Sequence, residues 1–180
     1  MIRVISGTSK GLRLRRVADP NVRPMPDKLK TALFNILRDQ IRGTVVLDGF
    51  AGTGSVGIEA LSRGAESAVF IDLSGAAVST IRHNLAKCRA NDKARVIAAE
   101  FNRAVIRLGK EKAKFTLIFL DPPYRLLDER NPLKVIKKRE VLAADGLIIL
   151  RHHFKTKFEA RYFRLVRQVT LGDDTLSFYK

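Results

Sequence analysis

Val45-Val46-Leu47-Asp48-Gly49-Phe50-Ala51-Gly52-Thr53-Gly54-Ser55-Val56-Gly57 decides the fold. An apolar run of strand length opens into a loop whose Gly52, Gly54 and Gly57 have the G-x-G-x-x-G spacing that leads into a helix. A second run, Leu117-Ile118-Phe119-Leu120, opens into Asp121-Pro122-Pro123-Tyr124. If both runs are parallel strands of one sheet, both loops lie at its carboxyl edge, where open α/β sheets bind ligands.

Outward from these runs, strand-like and helix-like segments alternate. Val45 to Phe50 is the first expected strand, followed by a helix over about Ser55 to Ser62 that stops at Arg63-Gly64, where glycine suits a left-handed cap. Ala68 to Ile71 is the second strand, ending at Asp72, and Gly75 to Cys88 the helix after it. Arg95 to Ala98 makes a third strand, Asn102 to Leu108 a helix and Phe115 to Leu120 the fourth strand. Pro132 to Leu142 is expected as a helix and Gly146 to Leu150 as the fifth strand. Such alternation specifies a parallel, doubly wound sheet. Tyr162 to Leu171 and Leu176 to Tyr179, with a turn at Gly172-Asp173-Asp174, predict an antiparallel hairpin at the sheet's edge.

Residues 1–43 read as a separate extension to an α/β domain over residues 44–180. Ile2 to Ser6 and Leu12 to Val17 predict a small hairpin carrying Arg3, Lys10, Arg13, Arg15 and Arg16 and no acid. Asp19-Pro20 and Arg23-Pro24-Met25-Pro26 form an extended linker, because proline disfavours helix in the residue before it. Asp27 is the expected N-cap of a helix in which Leu29, Leu33, Ile36 and Leu37 recur at helical spacing. Lys and Arg number 34 against 18 Asp and Glu, a net charge of +16, which favours a polyanionic partner. The leader's cations, with Arg23, Lys28 and Lys30, are the expected RNA contacts.

A single cysteine, Cys88, excludes an intrachain disulfide and a multi-cysteine metal site. His152 and His153 are adjacent on a strand and face opposite ways, so no metal is expected. No apolar stretch reaches membrane-spanning length and the N-terminus lacks a signal-peptide core, so the expected compartment is the cytoplasm, without a membrane partner.

The glycine loop alone suits a dinucleotide or a nucleoside cofactor. Asp48, four residues before Gly52, aims negative charge at the pocket; that repels a pyrophosphate and suits a ligand with a cationic amino-acid moiety. S-adenosylmethionine has an ammonium, a sulfonium, a ribose diol and no phosphate. Asp72 stands at the distance of a ribose-gripping carboxylate, and Glu100 at the end of the third strand is placed to reach an adenine amine. The expected cofactor set is Asp48, Phe50, Ala51, Gly52, Gly54, Asp72, Leu73, Glu100, Phe101 and Asp121.

Asp121-Pro122-Pro123-Tyr124 discriminates further. The prolines stiffen the turn, and the chemistry that uses such a turn is methyl transfer to an exocyclic amine of a base. That nitrogen's lone pair is delocalised into the ring until acceptors hold its protons. The Asp121 carboxylate and the Pro122 carbonyl are the expected acceptors, and Tyr124 is placed to stack on the unstacked base. Asp121, Pro122 and Tyr124 therefore form the expected catalytic set, with Tyr124 also a substrate contact.

Asp48-Gly49-Phe50-Ala51-Gly52-Thr53-Gly54, Gly57-Ile58-Glu59-Ala60-Leu61-Ser62-Arg63-Gly64 and Asp121-Pro122-Pro123-Tyr124 resemble the RsmD-type 16S rRNA (guanine-N2)-methyltransferases. Ile2 to Gly11, and Arg23-Pro24 leading through Asp27 to Leu33-Phe34-Asn35-Ile36-Leu37, resemble that family's leader. The resemblance implies a Rossmann-like class I methyltransferase with a seven-stranded sheet. It also implies N2 methylation of a guanine in 16S rRNA, with the 30S subunit or an assembly intermediate as partner. A monomer is expected. By the same resemblance Arg23, Pro26 and Asp27 approach the methionine end of the cofactor. The chain departs from the family pattern at Lys30-Thr31, where Arg-Glu is usual, and at Glu100, where aspartate is. It departs again at Arg151, where glutamate is usual, and at Leu171, where tyrosine is.

Three other readings fit less of the chain. An adenine-N6 methyltransferase uses the same turn, but one acting on DNA needs a groove-reading module that residues 1–43 are too short to supply. A non-catalytic basic RNA-binding or ribosome-assembly protein leaves Asp121 before two prolines unexplained. An oxidoreductase leaves Asp48, Tyr124 and the charge unexplained.

Overall fold

The computed structural model describes residues 2–19, 24–123, 131–156 and 161–180. The leader holds β1 (Ile2–Arg3), β2 (Arg13–Leu14) and α1 (Asp27–Leu37). Then follow β3 (Val45–Gly49), α2 (Ser55–Ser62), β4 (Ser67–Asp72), α3 (Gly75–Lys87), β5 (Ala94–Ala98) and α4 (Phe101–Lys110). The last elements are β6 (Phe115–Leu120), α5 (Pro132–Arg139), β7 (Leu142–His153), β8 (Leu165–Leu171) and β9 (Asp174–Tyr179).

The main sheet has seven strands in the order β5-β4-β3-β6-β7-β9-β8. The first five are parallel, while β9 pairs antiparallel with both β7 and β8. The chain builds outward from β3 through β4 to β5, then returns to lay β6 on the other side of β3. That reversal creates the crevice in which ligands bind. The expected Rossmann-like sheet with its C-terminal hairpin is therefore present, and the hairpin's second strand, not its first, joins the parallel part.

Alternation along the central strands feeds two cores. Val46, Leu117 and Phe119 point to the side covered by the leader, α1 and α2, whereas Leu47, Ile118 and Leu120 point to the side covered by α4 and α5. The leader is part of the first core: Ile2, Val4, Leu14, Leu29, Leu33, Phe34 and Leu37 are all buried in it.

The leader hairpin's strands are shorter than expected: past Val4, whose N–H donates to the Leu12 carbonyl and whose carbonyl accepts from Gly11 N, its backbone groups turn to the helices. Only Ile2 with Leu14 and Arg3 with Arg13 pair as strands. Ile5 N and Ser6 N donate to the Glu59 carboxylate of α2, and Arg15 N donates to Asn84 Oδ1 of α3. At the turn, a Cβ on Gly7, whose φ is +86°, would lie 1.8 Å from the Ser62 carbonyl oxygen, so the leader lies directly on α2.

Two boundaries are corrected. Asp27 is not an N-cap: Pro26 holds that place, and Asp27 is the first helical residue, 3.7 Å from Arg3 Nε. The helix expected over Pro132 to Leu142 ends at Arg139, where Glu140 turns left-handed at φ 51° and frees Val141 to accept from Phe115 N. β7 consequently begins before Gly146, and the intervening residues bulge between the Phe115–Leu142 and Leu117–Leu147 pairs.

Candidate active site at the carboxyl edge of the sheet

Three neighbouring strands deliver an aspartate each to one edge. Gly49 pairs with Ile71 on one side and with Leu120 on the other, so Asp48, Asp72 and Asp121 converge around the glycine loop. Strand apolarity buries the approach to this edge, and the loop's own hydrogen bonds decide what it can hold.

Two amides that a pyrophosphate would need are already engaged. Gly52 N donates to Asp72 Oδ2 at 2.7 Å, and Gly57 N donates to Asp48 Oδ2 at 2.8 Å. Ala51 N and Gly54 N bond to the Ile71 and Ala51 carbonyls. Gly57 is there for packing as well: a Cβ would lie 2.4 Å from the Phe70 ring. With these four amides engaged and carboxylates beneath it, the loop disfavours phosphate and suits a cationic nucleoside.

Each expected cofactor residue can be located. Asp72 Oδ1 caps Ser74 N at 2.9 Å, and the two oxygens retain lone pairs for further donors. Leu73 beside it is 73% exposed, an apolar face offered to solvent at the edge. Phe50 adopts a positive φ of 62° and stacks on Phe101, with centroids 4.8 Å apart. Glu100 caps α4 by accepting from Arg103 N at 3.0 Å, so its carboxylate is partly committed to the helix. Asn84, fully buried, donates to the carbonyls of Arg15 and Thr53 and thereby ties the leader to the glycine loop.

Asp48 is corrected in orientation: it is 4% exposed and lies under the loop instead of facing the pocket. Burial raises its pKa to about 8, with the Gly57 amide pulling the other way and Asp121 and Asp72 pushing further up. Between the ordinary 3.8 and about 8 the folded chain keeps a proton that the unfolded chain has released, so stability falls across that window as pH rises. Asp48→Asn keeps an acceptor for Gly57 and should lose this slope. In urea melts at pH 5, 7 and 9 it should gain on the native chain by on the order of a few kcal/mol toward pH 9.

Asp121 N donates to the Gly49 carbonyl at 3.4 Å, which sets the turn against the glycine loop. Its side chain is 38% exposed, and Oδ2 accepts from Arg151 Nη1 at 2.8 Å. Burial raises the Asp121 pKa and Arg151 opposes the rise. Pro122 is buried beside it, and Tyr124 lies outside the described residues.

Of the expected RNA contacts, Arg3, Lys10, Arg13, Arg15, Arg16 and Lys28 are exposed, and Arg23 lies outside the described residues. Lys30 is corrected: it is fully buried, donates to the Arg3 carbonyl at 2.7 Å and sits 3.6 Å from Glu59 Oε2. Burial lowers its pKa, against the pull of Glu59. Lys30 precedes Leu33, Phe34 and Leu37 by three, four and seven residues, so helical spacing already set it on the apolar face. Exposed Arg82, Lys87 and Arg89, unremarked in the sequence reading, flank the leader where it crosses α3, and neither residues 2–18 nor residues 73–91 contain an acid. His152, buried, bonds through Nε2 to Ser177 Oγ at 2.8 Å and through Nδ1 to the His153 carbonyl.

The parallel sheet, the loop with its spent amides and the Asp-Pro-Pro turn define a class I methyltransferase, a class that draws its methyl group from S-adenosylmethionine. Residues 2–180 match the family model described as Conserved hypothetical protein 95. YlbH of Bacillus subtilis (strain 168), provisionally named an rRNA methyltransferase, is 36% identical over 181 residues, covering 99% of this chain and 98% of that protein. Ribosomal RNA small subunit methyltransferase D of Escherichia coli (strain K12) is 35% identical over 149 residues, 82% of this chain and 72% of that one. The structure of yhhF from Escherichia coli, provisionally described as a methyltransferase, superposes with a TM-score of 0.84 at 30% identity over 99% of this chain and 96% of its own. The chain belongs to this family, the RsmD-type methyltransferases.

Proposed function

We propose that the chain transfers a methyl group from S-adenosylmethionine to the exocyclic N2 amine of a guanine in 16S rRNA. The observation that carries this reading is Asp121, rigidly set beside the glycine loop with Oδ2 held by Arg151 and no described residue on Oδ1. The relatives' names support rRNA of the small subunit, and the exposed cations in two acid-free stretches, residues 2–18 and 73–91, support RNA.

In this reading Asp72 accepts from the ribose hydroxyls, and Leu73, Phe50 and Phe101 form apolar walls for the adenine. Gly52, Gly54 and Ala51 line the path of the amino-acid tail, and Glu100 receives the adenine amine. Asp48, buried under the loop, acts on the cationic end through its field without facing it and releases its proton when that charge arrives, so cofactor affinity should rise with pH toward about 8. The bound cofactor supplies a methyl on a sulfonium, a leaving group that departs as a neutral thioether.

Asp121 Oδ1 and the Pro122 carbonyl accept the two protons of the target amine, turning its lone pair toward the methyl. The new N–C bond forms as the C–S bond breaks, and the proton the nitrogen then sheds passes to Asp121 Oδ1. Tyr124 stacks on the guanine. Rate comes from orientation and preorganised electrostatics, without a covalent intermediate. Residues 1–43 serve as the RNA-binding extension, in which Arg3, Lys10, Arg13, Arg15, Arg16, Arg23 and Lys28 meet phosphates, joined by Arg82, Lys87 and Arg89 of α3. The enzyme works as a cytoplasmic monomer on the 30S subunit or its assembly intermediate.

Tritiated methyl transfer to 30S particles, naked 16S rRNA and duplex DNA, followed by nucleoside digestion, tests the assignment. Label in N2-methylguanosine of 16S rRNA is expected, with binding that weakens steeply as salt is added. Label in N6-methyladenosine, or in DNA alone, overturns it.

A further inference from the structure

Arg151 follows Leu150, which pairs with Leu120 of β6, so its backbone stands beside the Asp-Pro-Pro turn. Its side chain is only 12% exposed and its guanidinium is shared between two carboxylates. Nη1 donates to Asp121 Oδ2 at 2.8 Å, and Nε donates to Asp174 Oδ1 at 2.9 Å. Asp174 opens β9, whose register with β7 sets it opposite His153. One planar fork thus joins the catalytic turn of β6 to the strand inserted beyond β7.

We propose that Arg151 is a positioning residue for methyl transfer: anchored by Asp174, it locks the Asp121 carboxylate through Oδ2, keeps it charged and leaves Oδ1 turned toward the target amine. A carboxylate on a short side chain rotates freely unless a donor fixes one oxygen, and a guanidinium is the donor that fixes direction as well as charge. Among the described residues, the titratable groups that face Asp121 are Asp48 from β3, Asp174 from β9 and Arg151 from β7. With Arg151 neutralised, the described groups left facing Asp121 are all acids, and burial favours its neutral form. A protonated Asp121 cannot accept the amine's hydrogen at the oxygen that carries its own. The inference rests on the proposed role of Asp121 as an amine acceptor.

The pH profile of kcat/KM on rRNA decides it, measured for the native enzyme and for Arg151→Gln, Arg151→Lys, Asp174→Asn and Asp121→Asn. Arg151→Gln should move the acid limb upward by at least about one pH unit, so that activity on that limb falls tenfold more than on the plateau. Arg151→Lys, which keeps the charge and loses the fork, should shift the limb less and lower the plateau. Asp174→Asn removes an anion and an anchor, so it should lower the plateau without any upward shift. Thermal melts separate these effects from unfolding, and should Arg151→Gln not fold, the direction of the Arg151→Lys shift decides. An Arg151→Gln profile lowered by one factor at every pH, or unchanged, overturns the proposal. Full activity in Asp121→Asn would instead overturn the role of Asp121 itself.

Discussion

Glu59→Ala should lower the folding free energy by about 3–5 kcal/mol in urea melts, the largest stability loss expected from any single side chain of the leader interface. Glu59 is fully buried and meets four partners: Ile5 N at 2.7 Å, Ser6 N at 3.0 Å, Arg63 Nε at 2.8 Å and Lys30 Nζ at 3.6 Å. Removing it strands a buried ammonium and two backbone donors at once, and each uncompensated group costs its full desolvation. The pair itself need not be strongly stabilising, since taking two charges out of water offsets most of their attraction. Lys30→Met combined with Glu59→Gln should therefore recover part of the loss, because the fully buried ammonium is gone and the amide oxygen still accepts from the leader. Limited proteolysis should find the leader of Glu59→Ala cut first, and rRNA binding should fall with it. A Glu59→Ala protein as stable as the native one would show that the leader is held by apolar packing alone.

Asp121→Asn should reduce methyl transfer by about 10²–10³-fold, the range expected when one preorganised electrostatic group is removed from a transition state. The substitution is nearly isosteric, so the Gly49–Asp121 backbone contact and the turn are retained. S-adenosylhomocysteine affinity, followed by calorimetry, should change far less than the rate, because the lost interaction is with the amine being methylated. Single-turnover kinetics on 30S particles separate the two quantities. A variant that transfers methyl groups at the native rate would remove Asp121 from the chemistry.

The parallel sheet was legible because its signals are local. β3, β4 and β6 are short apolar runs that end in or just before a carboxylate or a glycine, and α2 has its own spacing, so these elements lie within a residue of expectation. The boundary of α5 was not, because Val141 and Leu142 continue an apolar pattern that a helix and a buried strand share; pairing with Phe115 chose the strand. Asp48 and Asp121 were visible as carboxylates at strand ends, but the burial of the first depends on the depth of α2. Arg151 was visible only as a departure from a pattern. Its partners are brought together by the insertion of β9 between β7 and β8, a nonlocal event that no window of sequence encodes. Lys30 misled because cations are usually solvated, although its helical position already argued otherwise.

Phe50 holds a left-handed backbone at φ 62° while its ring stacks on Phe101. For a residue with a Cβ that conformation costs about 1–2 kcal/mol, which glycine at the same place would not incur. With Phe50 as the proposed wall of the adenine pocket, the same position sets thermostability against activity: selection for heat resistance alone would drift toward glycine there, and selection for turnover would hold the aromatic. An engineering campaign scored on melting temperature would accept this exchange, and on the proposed role of Phe50 its best-ranked variants would keep an intact sheet and lose cofactor affinity.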